Sequence, residues 1–157
     1  MKALKTFACA IAITLSFATA AMAEGGILPA DKKAMHDYTL SMDKINAMGA
    51  AMGDFKKMGA NGIALLNQQK AIYDAANSVA DMETRLSANA QIMAVYKAHG
   101  LKAADAVLIP FVLMYAGTAA SYPAAAAQLA DSTSPQQVAF YKQHQKDLQG
   151  ATWMNGK

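Results

Sequence analysis

The side chains with the widest chemical reach in this 157-residue chain are its eleven methionines and three histidines. Thioether sulfur and imidazole nitrogen bind soft and borderline metals, and a Met/His pair is an axial set of b-type haem. In a helical bundle such a pair needs one ligand on the first helix and the other on the last. Met42 (or Met35) and His144 satisfy that order, and His144 falls near an apolar face, three residues after Tyr141 and four before Leu148. Haem b, or copper held by thioether and imidazole, is therefore the alternative chemistry of the chain. Against it, Met35 and His36 point about 100° apart on a helix, and Met at helical spacing is an ordinary filler of hydrophobic cores. The leading expectation is no cofactor and no metal. His36 reads as solvent-facing, His99 as the end of a helix, and His144 as half-buried and hydrogen-bonded.

Other chemistries fail on residue type. No G-x-S-x-G elbow marks a hydrolase nucleophile, and P-loop, dinucleotide, zincin and EF-hand patterns are absent. A di-iron carboxylate bundle needs several glutamates, whereas Glu24 and Glu83 are the only two in the chain. Asp81 and Glu83 would point about 200° apart on a helix, so with Asp74 they form no converging cluster. The chain is expected not to be an enzyme.

The first residues dictate the compartment. Lys2 and Lys5 precede an apolar run from Thr6 to Ala20, and Ala21-Met22-Ala23 forms an A-x-A cleavage site before Glu24. This order reads as a secretory signal peptide over residues 1–23, placing the mature protein in the periplasm or outside the cell. Cys9, the sole cysteine, falls within it. The processed chain is thus expected to hold together by apolar burial without disulfides, and to lack thiol chemistry. The formal charge of +3 drops to about +1 when Lys2 and Lys5 leave, and no block of one sign remains. Nucleic acid is therefore not an expected partner.

Abundant alanine and methionine with few β-branched residues predict an all-α fold. Residues 24–30 read as a flexible leader, 31–150 as one helical domain and 151–157 as a tail. Within the domain, the breakers suggest a single bundle of about five helices. The first runs from an Asp31 N-cap to Gly59, with Met35, Tyr38, Met42, Ile45 and Met52 on one face. Gly59-Ala60-Asn61-Gly62 makes a turn, Ser78-x-x-Asp81 imitates a capping box, and Ser87 to Asn89 caps a helix ending at His99-Gly100. Ser134-Pro135 opens the last helix.

Ala106 to Ala130 carries no charge and is long enough to span a bilayer. Only Val107 to Tyr115 is strongly apolar, so it reads as a buried central helix, kinked at Pro110, without stable membrane insertion. A kinked core helix beside a Met-rich stripe suggests a groove lined by Tyr38, Met42, Met52, Phe111, Met114 and Tyr115. Such a groove would take a small apolar ligand or a partner helix. On these grounds the chain is expected to be an exported, non-enzymatic binding or interaction protein.

Overall fold

In the computed structural model the residues described are 27–150. The expected signal peptide, the start of the leader and the C-terminal tail lie outside them. All regular structure among the described residues is helical. Among the described residues there are nine helices where the sequence suggested about five: α1 (Pro29–Asp37), α2 (Met42–Lys57), α3 (Ala60–Asp74), α4 (Val79–Ala88), α5 (Ala90–Ala98), α6 (Ala103–Ser121), α7 (Pro123–Gln128), α8 (Pro135–Gln143) and α9 (Gln145–Gly150).

Three breaks account for the difference. The expected helix from Asp31 to Gly59 stops after Asp37, and the chain is extended at Tyr38 and again at Ser41, whose hydroxyl accepts from Lys44 N at 3.3 Å to start α2. A second break separates α6 from α7, where Tyr122 is extended and Pro123 begins a new helix. The third falls at His144, which divides the expected last helix into α8 and α9.

Helix α1 begins earlier than the leader boundary allowed. Pro29 occupies its first turn, where a missing N–H costs nothing. Asp31 does not cap α1. Its carboxylate instead accepts from Val79 N at 3.0 Å and so satisfies a free donor at the start of α4. Other caps fall where the sequence placed them. Gly59 (φ +58°) and Gly100 (φ +75°) take the positive-φ turns, although Ala60, Asn61 and Gly62, expected in the same turn as Gly59, already belong to α3. Ser78 accepts from Asp81 N at 3.1 Å and Asn89 from Ile92 N at 3.1 Å, while Ser134 and Gln137 form a reciprocal capping box.

Helix α6 is the axis. It packs against α1, α2, α4, α5, α7 and α8, and 12 of its 19 residues are buried. By length and composition α6 could cross a membrane, but 67 % of its apolar window is covered by the other helices. Around it lie Met35, Ile45, Met48, Phe55, Leu86, Ile92 and Tyr96, each no more than 2 % exposed. Phe55 and Tyr96 meet edge-on at 5.5 Å between ring centroids. Much of the methionine stripe is core.

The backbone stays helical through Pro110. Proline cannot donate to the carbonyl four residues earlier, so Ala106 O lacks its helical donor inside a buried segment. The Tyr73 hydroxyl of α3 donates to that oxygen at 3.3 Å, while Gln69 Nε2 donates to Tyr73 at 2.7 Å and Tyr96 donates to Gln69 Oε1 at 2.9 Å. All three side chains are buried. A polar chain thus runs from α5 through α3 to α6, and the proline's missing bond is made by a tyrosine. Further along α6, Gly117 lets α8 approach: a Cβ there would lie 2.9 Å from the ring of Tyr141.

Candidate functional site

Two polar assemblies emerge from this packing, and both depend on the break after α1. At the C-terminal end of α1 the last carbonyls lack regular helical donors, and only Met35 O accepts from the chain itself, from Tyr38 N at 3.3 Å. Gln137, in the first turn of α8, supplies one: its Nε2 donates to Met35 O at 2.7 Å, His36 O at 3.2 Å and Tyr38 O at 2.7 Å. Its Oε1 accepts from Ser134 N at 2.9 Å. This buried amide pins the connection ahead of α8 beside α1.

The first assembly centres on Asp105, in the opening turn of α6. Its Oδ2 caps the helix by accepting from Lys102 N at 2.9 Å. Its Oδ1 accepts from the Tyr38 hydroxyl at 2.7 Å and from Lys44 Nζ at 2.9 Å. Lys44 also reaches the Tyr38 oxygen at 3.3 Å and stands 4.6 Å from the ring centroid. Burial pushes the Asp105 carboxyl up, but the bonds from Lys44, the Lys102 backbone and Tyr38 outweigh it and hold it below the usual range. Tyr38 moves the other way, raised by burial and by its bond to Asp105. Glu83 of α4 is half-buried and raised by burial and by the charge on Asp105. Asp105 is thus an ionised acceptor saturated by three donors, and it fastens the α1–α2 link to α6.

The second assembly is a surface groove of about 560 Å³ between α1 and the connection that follows α7. Pro29, Lys32, Lys33, His36 and Asp37 form one wall, Ala130 and Asp131 the other. Both signs of charge face it. Lys32 Nζ lies 3.6 Å from the Asp131 carboxylate on the opposite wall. Asp37 is paired with Lys33 and accepts or shares a proton with His36 Nδ1 at 3.1 Å, and these two neighbours hold its carboxyl below the ordinary value, Lys33 first.

The six residues expected to line an apolar groove take other places. Tyr38 joins the Asp105 assembly, Phe111 and Tyr115 are buried in α6, and Met42, Met52 and Met114 are half-buried against the core. None of the six lines the groove beside α1. His144 is half-buried, with its ring 4.6 Å from that of Phe140 and its Nδ1 3.7 Å from Asp147. Met42 and His144 stand on helices α2 and α8 or at their ends; each helix packs on α6, without substantial contact between the two. Among the described residues no group of three or more His, Cys, Asp or Glu side chains converges as metal ligands would.

No protein-family model matches the chain. Neither a curated protein nor a solved structure is detectably similar to it. The functional reading therefore stands on these two assemblies. Sequence reasoning passed over Lys32, Lys33 and Asp131, because the two lysines lie about a hundred positions from Asp131 and no local pattern brings them together. It also passed over Asp105, although Lys102-x-x-Asp105 at the head of the uncharged run has the spacing of a capping box.

Proposed function

We propose that the chain is an exported, non-enzymatic helical binding protein that holds a small ligand bearing both signs of charge in the groove beside α1. The observation that carries the reading is the groove itself, an open surface recess of about 560 Å³ whose two walls oppose Lys32 to Asp131. An amino acid or short peptide fits that arrangement, its carboxylate on Lys32 and Lys33 and its ammonium on Asp131. Pro29 and Ala130 offer the short apolar contact between them. This site is preferred to the apolar groove because Phe111 and Tyr115 are already packed in the core, so a ligand there would have to displace it. Export is supported by the order of Lys2, Lys5, the apolar run and Ala21-Met22-Ala23.

The test has two parts. N-terminal sequencing of protein taken from the periplasmic fraction is expected to begin at Glu24. Calorimetric titration with amino acids and dipeptides is expected to give a saturating heat that disappears in the Lys32→Ala/Asp131→Ala double variant. Heat from none of them, or equal heat from the double variant, refutes the groove.

A further inference from the structure

The hairpin formed by α2 and α3 ends in a tip of distinctive composition. The tip carries Lys56 and Lys57 against one acid, Asp54, and farther along α3 Lys70 is paired with Asp74. Two of the most exposed large apolar side chains among the described residues also stand there, Met58 at 42 % and Ile63 at 62 %. The nearest acid, Asp54, is engaged by Lys57 at 2.8 Å and by His99 at 2.8 Å, which leaves Lys56 without an ion pair.

The tip is rigidly built. Gly59 reverses the chain at φ +58°, and Gly62 lies so close to the last turn of α2 that a Cβ would come 1.8 Å from Phe55 O and 3.1 Å from Met58 Cβ. Met58 and Ile63 stand exposed on either side of this close approach, near Lys56 in the chain. A point of two apolar side chains is much smaller than the roughly 800 Å² per partner of a stable protein interface. It matches a fluid surface that can close around it and whose charge is opposite to that of the lysines.

We propose that this tip docks on an anionic lipid surface, with Met58 and Ile63 entering the headgroup layer and the unpaired Lys56 meeting a lipid phosphate. Burial of the two apolar side chains supplies one part of the attraction and Lys56 the other, at about fivefold in affinity per charge. The interaction is independent of the groove beside α1.

Co-sedimentation of the mature full chain with vesicles of phosphatidylglycerol or of phosphatidylcholine tests it. The chain is expected to pellet with the anionic vesicles, to stay in solution with the zwitterionic ones, and to be released by salt. The Met58→Ser/Ile63→Ser variant should bind about tenfold more weakly, and Lys56→Glu, a change of two charges, should weaken binding about twenty-five-fold with its apolar pair intact. Lys142→Glu, on α8, should leave binding within about twofold, since its charge stands away from the tip. The proposal is overturned by any of four results: no pelleting with phosphatidylglycerol, full binding by the double serine variant, equal weakening by Lys142→Glu, or self-association through the tip in the absence of lipid.

Discussion

Replacing Tyr73 with phenylalanine tests whether a side chain on α3 makes the bond that Pro110 denies to α6. The hydroxyl accepts from Gln69 Nε2 at 2.7 Å and donates to Ala106 O at 3.3 Å, in a site where Tyr73 is 6 % exposed. Tyr73→Phe keeps the ring but leaves a buried amide donor and a buried carbonyl unpaired, each costing about 1–3 kcal/mol. The expected loss is about 2–4 kcal/mol of unfolding free energy. Pro110→Ala gives Ala106 O a helical N–H donor of its own. In that background only the Gln69 amide is orphaned, so Tyr73→Phe should cost about 1–2 kcal/mol less than in the native chain. Urea unfolding of the four proteins, followed by far-ultraviolet circular dichroism, measures the cycle, with unchanged denaturant slopes as the check on two-state behaviour. Costs that add to within about 0.5 kcal/mol would show the two positions to be independent, and the substitution of a tyrosine for a proline's missing donor would be refuted.

Four further outcomes follow from particular contacts. Gly62→Ala places a Cβ 1.8 Å from Phe55 O, and its cost of about 3 kcal/mol should appear as a lower urea midpoint. Gln137→Ala removes the amide donor from the His36 and Tyr38 carbonyls and leaves Met35 O only its bond from Tyr38 N; hydrogen exchange should accelerate first in α1, with about 2–3 kcal/mol lost overall. The Thr133 hydroxyl is buried without a partner, so Thr133→Val should be neutral or stabilising by about 1 kcal/mol in thermal unfolding. Glu83 has its folded-state pKa raised by burial and by Asp105, so the folded chain binds this proton more tightly than the unfolded chain. Ionised Glu83 therefore costs stability above its folded pKa, and that cost fades as pH falls through the raised value toward the unfolded one. Glu83→Gln should melt higher than the native chain at neutral pH, and the gap should close on acidification; a constant gap would discount the charge.

What the sequence could say about this fold depended on the range of the interaction that decides each feature. Gly59, Ser78, Asn89, Gly100 and Ser134 act within three or four residues of themselves, and each was legible where it stands. The break after Asp37 was hidden because Met35, Tyr38 and Met42 keep helical spacing across it. The amide that stabilises the broken end comes from Gln137, about a hundred positions away. Asp31 misled for the same reason. As a residue type it is a good N-cap, and it does cap a helix, but the helix is α4 and the donor is Val79.

The candidate sites show the same limit in a sharper form. Periodicity says which face of a helix turns inward, but not how deeply a residue on that face is buried. Tyr38, Met42 and Met52 share a stripe with Met35 and Ile45, yet the latter two are sealed while the former three stand at the edge of the core. Tyr38 is drawn outward to a carboxylate on α6 because its hydroxyl needs a partner once half-buried, and Asp105 needs donors once α6 is placed at the centre. The Met-lined groove thus closed into packing. The recess beside α1 lies between one face of that helix, from Pro29 to Asp37, and the connection at Ala130 and Asp131. A groove made in this way is lined by charged residues of a helix and a loop, Lys32, Lys33, Asp37 and Asp131, which the stripe alone does not suggest.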